Sequence, residues 1–307
     1  MNFKTSFTRL AARYLGIVGL SLVCAGVNVP AQAQTAKEDP AKGVLWEVKS
    51  AGNTAYLFGS IHLAKASFYP LPEAVENAYK QADTLVVEVD TSDPKVAEKA
   101  MPFFTYAAPD KLENHITKKT WEDLLGMVGA ASTQLQVLKP SIVATALSVG
   151  VFKQQGFDAS KGVDLHYMQK AKQDKKDIVS LETMEFQANV LAGLSDEDGD
   201  AMLAQTLDGL KNGDLLRETN GMINAWKAGD AEALTKILQD AASKDAGSRK
   251  VMKLLLDDRN PGMVEKISGM LEGGKKLFVV VGAGHMSGPN SVTELLQKKG
   301  FEVKQIK

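Results

Sequence analysis

The 307-residue chain predicts a mixed α/β protein, in which strand-rich N-terminal and C-terminal parts form a central β-sheet and a large helical region lies between them. Short apolar runs of strand composition occur towards both ends, whereas the middle carries apolar residues at helical spacing. Two of the terminal runs also end in the same motif, Gly-x-x-His, at Gly59–His62 and Gly282–His285. Strands that end alike can lie side by side in one sheet, so we expect the two histidines to meet.

The first part of the predicted domain begins with two strands, Val44–Ser50 and Thr54–Ile61. Gly52-Asn53 between them suits the tight turn of a β-hairpin. A helix is expected after Pro72, because proline is favoured in the first turn of a helix. The run Thr84–Val89 is apolar up to its last residues, which indicates a strand buried on both faces of the sheet.

The rest of the chain is mostly helical until the last strands. A helix is expected after a Thr120 cap, with Pro140 ending its pattern. The remaining expected elements are, in order, a strand at Ile178–Leu181, helices from about 184 to 271, a strand at Leu277–Val281, a helix at about 290–299 and a strand at Phe301–Ile306.

The N-terminus has the order of a secretory signal peptide. Basic residues precede the apolar stretch Tyr14–Val29, and Ala31-Gln32-Ala33 supplies a small-residue cleavage site. We therefore expect residues 1–33 to be a signal peptide, 34–43 a flexible leader, and 44–307 a single domain with a helical insertion. A membrane anchor is the alternative, although the stretch is short for a span. The expected location is the periplasm or the extracellular medium.

Composition narrows the possible partners. The single cysteine, Cys24, lies within the predicted signal peptide, so the exported chain would have no disulfide. The 36 basic residues balance the 37 acidic ones, which argues against nucleic acid as a partner. No later run is long and apolar enough to span a bilayer, so no stable membrane anchor is expected after cleavage.

The two Gly-x-x-His motifs are the main indication of chemistry. Glycine permits close approach of other groups, and a histidine beyond a strand end can project over the sheet edge where ligands gather in α/β folds. Paired histidines usually bind metal or move protons. Glu88 ends a buried strand, where a carboxylate is costly unless it is paired or bound to metal. With His62 and His285, it would complete a ligand set for Zn, Mn, Fe or Co; a salt bridge or a solvated strand end is the alternative.

Further polar residues occur where strands and helices end. Asp164 and His166 lie in Gly162–His166, and Glu182 follows a predicted strand. Arg259 and Asn260 are adjacent, and together they can hold an anionic or carbonyl oxygen. Each of these residues, taken singly, is more often an ordinary cap, turn or ion pair. His115 has no supporting pattern, and we expect it on the surface.

The order of these segments resembles that of TraB/GumN-type proteins, a family that includes the PrgY pheromone-shutdown proteins and is similar to the animal Tiki proteases. The resemblance covers about Leu45 to Ile306, with Met286 where leucine commonly follows the last histidine. The segments that carry it are Leu57–His62, Val87–Asp90, Gly162–His166, Leu181–Thr183, Arg259-Asn260 and Val281–His285.

The resemblance implies a mixed α/β core of two related halves and, from the Tiki relatives, a protease that depends on a divalent metal. His62 and His285 match the motif histidines, and Glu88 matches the glutamate of the site. We therefore expect an exported metal-dependent hydrolase using Mn, Co or Zn, with peptides or proteins as substrates.

In that site His62 and His285 would be metal ligands, and Glu88 a third ligand or the general base. Arg259 and Asn260 would act in catalysis by holding an oxyanion or the substrate. Three further residues would orient the site from behind the ligands: Asp164, His166 and Glu182. The alternative is a protein of the same fold that binds metal, haem or peptide without turnover, because the wider superfamily resembles haem-binding as well as esterase proteins.

Overall fold

A six-stranded mixed sheet forms the centre of the computed structural model, which describes residues 40–50, 52–243 and 246–307. The predicted signal peptide and the leader up to residue 39 lie outside the described residues. The strands are β1 (Val44–Ser50), β2 (Asn53–Ser60), β3 (Thr84–Val87), β4 (Asp177–Ser180), β5 (Leu277–Gly282) and β6 (Glu302–Ile306).

The sheet order is β4-β3-β5-β2-β1-β6, so strands from both ends of the chain alternate at its centre. β1 pairs antiparallel with β2 as a hairpin and with β6 at the edge. β5 lies between β2 and β3 and is parallel to both, and β4 adds a parallel edge strand on β3. The predicted fold class is therefore confirmed: the sheet joins the N-terminal and C-terminal parts of the chain.

Helices occupy most of the region between β3 and β5. In chain order the helices are α1 (Glu73–Gln81), α2 (Pro94–Glu98), α3 (Met101–Phe104), α4 (Lys118–Val128), α5 (Ser132–Leu135), α6 (Pro140–Gln154), α7 (Val163–Asp174), α8 (Met184–Ala192), α9 (Asp196–Lys211), α10 (Asp214–Ala228), α11 (Ala231–Ser243), α12 (Ala246–Met252), α13 (Asn260–Glu272), α14 (Ala283–Met286) and α15 (Val292–Lys298). A π-helical turn, Lys253–Asp257, separates α12 from α13.

Two predicted helix boundaries were wrong. The cap of α4 is Thr117 rather than Thr120, because the Thr117 side chain accepts a hydrogen bond from the backbone N–H of Thr120. Pro140 begins α6 instead of ending the preceding helix. The ring of a proline fits the first helical turn, where the missing N–H would have no intrahelical partner.

The central strands are completely enclosed. Every residue of β3 and β5 is buried, as their continuous apolar sequences predict for parallel strands covered on both faces. An aromatic cluster packs beside β2 and β5, where Phe58 contacts Tyr167, Trp226 and Phe278. No helix in the described ranges combines the length and apolarity that crossing a membrane requires.

The four parallel strands end at one edge of the sheet. Ser60 of β2 is opposite Gly282 of β5, and Val87 of β3 is opposite both Val280 of β5 and Ser180 of β4. The residues that follow these strand ends are His62, His285, Glu88 and Glu182. The register thus brings together, at the carboxyl edge where α/β folds bind ligands, residues that are far apart in sequence.

Candidate functional site

The two Gly-x-x-His motifs contact each other directly. A side chain at Gly59 would place its Cβ 3.0 Å from the Cα of Ala283 and 2.6 Å from the Cγ2 of Val44. Glycine therefore permits the end of β2 to pack against α14, the short helix that carries His285. The indole N–H of Trp226 also donates to the carbonyl oxygen of Gly59 at 2.7 Å, which fixes the first motif from the opposite side.

His62 is oriented by the start of α7. Its Nδ1 lies 2.7 Å from Oδ2 of Asp164, and the hydroxyl of Ser60 donates to Oδ1 of the same carboxylate at 2.5 Å. The backbone also joins the two segments, because the N–H of Val163 donates to the carbonyl oxygen of Ile61 at 2.9 Å. One buried carboxylate thus holds two residues of the first motif. The supporting role of Asp164 in a metal site stays a prediction, and the contact that the structure gives it is with His62.

Gly162 is required by the same close approach, because an added Cβ would lie 2.3 Å from the carbonyl oxygen of His62. We expect Gly162→Ala to lower the free energy of unfolding by about 1–3 kcal/mol, since backbone must move to relieve the overlap. Urea unfolding of the purified variant measures this. Gly150→Ala is the matched control, because an added Cβ there meets no atom within 4 Å and alanine is favoured in a helix. Equal stability of the two variants would contradict the prediction.

His285 is completely buried and is held by the first residue of α13. Its Nδ1 lies 2.6 Å from Oδ1 of Asn260, while the Asn260 amide nitrogen donates to the carbonyl oxygen of Asn290 at 2.8 Å. Since an amide oxygen only accepts, Nδ1 of His285 carries the proton and Nε2 is left with its lone pair. The Nε2 atoms of His285 and His62 are both buried and have no hydrogen-bond partner.

Beside the histidines lies a buried network of two carboxylates and one guanidinium. Nη2 of Arg259 donates to Glu88 at 2.7 Å and to Glu182 at 2.6 Å, and Nε donates to the other oxygen of Glu182 at 2.9 Å. The amide nitrogen of Gln187 also donates to both carboxylates, at 2.9 Å each. The second oxygen of Glu88 accepts from the backbone N–H of Gly282 at 2.7 Å, which ties the network to the end of β5.

The π-helical turn positions Arg259. Within it the N–H of Asp258 donates to the carbonyl oxygen of Lys253, five residues earlier, at 2.9 Å. The side chain of Arg259 donates to the carbonyl oxygen of Leu255 at 2.8 Å through Nη1. All three nitrogens of the guanidinium are therefore satisfied within the protein, which makes its orientation rigid. Such turns occur frequently at functional sites.

The charges in this cluster shift one another's pKa values. Burial and the charge of Arg259 lower the pKa of His285 to about 3, and His62 adds to this lowering. Burial would also lower the pKa of His62, but the Asp164 carboxylate and its hydrogen bond raise it to about 9. Burial would raise the pKa of Glu88, yet Arg259 and then His285 lower it to about 2. At neutral pH His285 is therefore neutral and Glu88 ionised.

The geometry fits a metal held by two imidazoles better than the expected set of three ligands. Neither Nε2 atom has a hydrogen-bond partner, and each Nδ1 is fixed by a polar partner, as in metal-binding histidines, although the Nε2 of His62 carries a proton at neutral pH that a metal would displace. Oε1 of Glu88, however, lies 3.8 Å from Nε2 of His285, and its carboxylate is occupied by Arg259, Gln187 and Gly282. Across the described ranges no three His, Cys, Asp or Glu residues form a metal-ligand group. The structure thus does not assemble Glu88 with the two histidines.

Arg259 and Asn260 are placed differently from the oxygen-holding role predicted for them. Arg259 is only 3% exposed, and its N–H groups donate hydrogen bonds to Glu88, Glu182 and the carbonyl oxygen of Leu255. The side chain of Asn260 bridges His285 and the backbone of Asn290. Both residues therefore orient other groups of the site in this arrangement. Glu182 accepts two hydrogen bonds from Arg259, and its supporting role in a metal site stays a prediction.

The two remaining histidines lie apart from this cluster. The ring of His166 stacks on Tyr69 with centroids 4.4 Å apart, and the structure gives it no contact with His62 or His285. Its predicted supporting role is therefore not what this placement provides, because its ring points to Tyr69 while Asp164, two residues earlier, turns inward. His115 is not simply solvated, since it pairs with Asp110 and Asp196.

Sequence reasoning missed Ser60, Gln187 and Trp226 as parts of the site. Ser60 lies inside the first motif, so its position between Gly59 and His62 is a signal that could have found it. Gln187 falls in an ordinary helical pattern, and Trp226 is 167 residues from its partner Gly59. Nothing in their local sequence indicates those contacts.

The fold and the site define an α/β protein in which paired Gly-x-x-His strand ends face a buried Glu-Arg-Glu network. The chain belongs to the TraB/PrgY/gumN family, whose sequence profile matches residues 44–305. The resemblance found in the sequence is thereby confirmed.

Individual relatives span most of the chain at low identity. It is 28% identical over 251 residues to the uncharacterized protein YbaP of Escherichia coli (strain K12), covering 79% of this chain and 87% of that protein. It is 22% identical over 320 residues to the metalloprotease TIKI1 of Xenopus tropicalis, covering 87% of this chain and 62% of that protein. No solved structure matches the chain.

Proposed function

We propose that this protein is an exported metal-dependent hydrolase that acts on peptide bonds in peptides or proteins. The observation that carries the proposal is the pair of buried imidazole Nε2 atoms without a partner, at neighbouring strand ends. An unsatisfied buried nitrogen is costly, and two together are most simply explained by a shared cation. The similarity to metalloprotease TIKI1 supports the reaction class.

His62 and His285 would hold a divalent metal such as Mn, Co or Zn, which when bound would polarise a substrate carbonyl and activate water. Asp164 and Asn260 bind the two Nδ1 atoms, which fixes both rings and leaves their Nε2 atoms without a protein partner. Since Nε2 of His62 must lose its proton to become a ligand, metal affinity is expected to rise with pH towards the raised pKa of about 9.

The surrounding charges favour a cation. Glu88 and Glu182 pair with the buried guanidinium of Arg259, and Asp164 pairs with His62, whose imidazole is charged at neutral pH until a metal displaces its proton. Loss of that proton would leave negative charge next to the imidazoles, with Glu88 3.8 Å from His285, and a metal cation would balance it. Because its pKa is about 2, Glu88 is a weak base, and its main contribution is this electrostatic one. Arg259 keeps Glu88 ionised and holds the carboxylates of both Glu88 and Glu182 in place.

The test is hydrolysis of a quenched-fluorescent peptide library by protein purified without chelators and supplied separately with Mn, Co or Zn. We expect turnover with one of these metals, its loss on chelation and its loss in His62→Ala, since that variant lacks one ligand. His115→Gln is the matched control, because His115 lies outside the cluster. Turnover that persists in His62→Ala, or that ignores chelation, would contradict the proposal.

The second candidate is a protein that holds the metal without turnover. This is favoured by the enclosure of the site: His285 has no exposed surface and His62 only 8%. A peptide could reach the Nε2 atoms only after a covering segment moved. Stoichiometric metal binding through both histidines, with no hydrolysis across the peptide library, would support this candidate over the first.

A further inference from the structure

A second histidine cluster lies on the helical region, away from the candidate site. Nδ1 of His115 is 2.8 Å from Oδ2 of Asp196, and Nε2 is 2.8 Å from Oδ2 of Asp110. Carboxylate oxygens only accept hydrogen bonds, whereas a neutral imidazole has one donor and one acceptor nitrogen. Both contacts are satisfied at once only when both nitrogens carry a proton, so this geometry requires the imidazolium.

The surroundings of His115 are built for a cation. The ring lies flat on Tyr106, with centroids 4.0 Å apart and planes 7° from parallel, and 19% of the side chain is exposed. Asp110 lies five residues before His115, in the segment Tyr106–His115, and its other oxygen accepts a hydrogen bond from the amide of Asn114 at 3.0 Å. Asp196 comes from the first turn of α9.

Other charged groups nearby have partners of their own. In the loop before α4, Lys111 pairs with Glu113, and Asp198 of α9 pairs with Lys250 of α12 at 2.6 Å. Asp200 of α9 accepts from the backbone N–H of Thr117 at 3.0 Å. Within the residues that the structure describes, no lysine or arginine forms an ion pair with Asp110 or Asp196. The charge of His115 is therefore what joins the two carboxylates.

The contact connects the segment Tyr106–His115 to α9, whereas the other side-chain bonds of the segment to distant residues run to the stretch before α6, where Glu113 and Gln136 bond each other. The segment Tyr106–His115 is tied to the stretch before α6 by two backbone hydrogen bonds, Tyr106 N–H to Val137 and Leu112 N–H to Gln136, each 2.8 Å. His115 adds the link to the N-terminus of α9, 81 residues away. Removing its proton would leave a neutral ring with one nitrogen lone pair facing a carboxylate.

We propose that His115 is a pH-sensitive clasp that fastens the segment Tyr106–His115 to α9 while its imidazole is charged and releases the segment when it is neutral. The pKa of His115 is raised, since Asp196 and Asp110 outweigh the effect of burial. A histidine with a raised pKa in the folded state stabilises at pH values below its unfolded pKa of about 6.5, and this stabilisation is lost as pH rises through the folded pKa.

Hydrogen exchange tests the clasp through the amides of Tyr106 and Leu112, whose carbonyl partners lie outside the segment. After correction for intrinsic rates, protection of these amides should fall roughly three- to tenfold between about pH 5.5 and about pH 9. The amide of Phe301, bonded to Leu296, is the internal control and should not change. In His115→Gln protection should be low at both pH values, because glutamine carries no charge.

A titration of the His115 ring by NMR gives the second measurement. Its apparent pKa should lie above about 6.5 and should fall in Asp196→Asn, which keeps the shape but removes one carboxylate. Protection that is independent of pH in the unaltered protein, or that falls equally in His115→Gln, would overturn the clasp. A His115 pKa that is unchanged in Asp196→Asn would do the same.

Discussion

Arg259→Met is expected to lower the free energy of unfolding by about 3–5 kcal/mol, the cost of leaving a buried charge without its partner. The Arg259 side chain is 1% exposed and is shared by Glu88 and Glu182, so its removal leaves two adjacent buried carboxylates with only the amide of Gln187 between them. Urea unfolding at neutral pH measures the loss. Methionine keeps most of the side-chain volume, which separates the loss of charge from the creation of a cavity.

Arg217→Met is the matched control. Arg217 pairs with Asp214, but its side chain is 68% exposed, and an exposed pair contributes only about 0–1 kcal/mol. Adding Glu88→Gln and Glu182→Gln to Arg259→Met should restore part of the lost stability, because the unpaired charges are then gone. If Arg259→Met cost no more than Arg217→Met, the network described here would not exist in the folded protein.

The pH dependence of the same variant follows from the pKa of Glu88. That pKa is lowered to about 2, so its contribution to stability is present above the unfolded value of about 4.3 and is lost as pH falls towards 2. Without Arg259, the ionised form of Glu88 loses the largest interaction that stabilises it in the folded protein. The difference in stability between the two proteins should therefore shrink as pH is lowered through this range.

The second large effect is expected on metal binding. His62→Ala together with His285→Ala should weaken affinity for a divalent metal by more than about 100-fold, because residues that merely orient a ligand already contribute about 10–100-fold. The metal affinity of Asp164→Asn should lie between those of the unaltered protein and the double variant, since Asp164→Asn retains both imidazoles but loses the carboxylate that orients His62. The graded order of these variants follows from geometry and distinguishes a built site from adventitious binding.

The sequence predicted the parts of the fold that depend on local pattern. Continuous apolar runs such as Leu277–Val281 predicted buried strands. The same motif at two strand ends indicated that β2 and β5 can be neighbours, as they are in the sheet. Helix boundaries were less certain, because Thr117 and Thr120 are equally good caps by composition. A proline such as Pro140 can follow one helix or begin the next, and the local sequence does not distinguish the two; in the structure it begins α6.

The site was predicted only in its outline. The residues at the sheet edge could be named, because parallel strands bring their carboxyl ends together. Which partner a buried carboxylate takes could not be predicted: Glu88 could bind metal or a cation, and the structure pairs it with Arg259. That choice depends on a π-helical turn and on Gln187 from a distant helix, neither of which leaves a local signature. The sequence also could not show that Asn260 faces His285 rather than an open cavity.

The most direct test of the two-histidine site is the metal content of the protein purified without chelators, measured beside the His62→Ala, His285→Ala double variant. The proposed site leads us to expect about one transition metal per chain in the unaltered protein, and none in the variant, since the two histidines would share one cation. Circular dichroism would establish that the variant is folded. Absence of metal from the unaltered protein, even after addition of Mn, Co or Zn, would contradict the account, as would equal metal content in the two proteins.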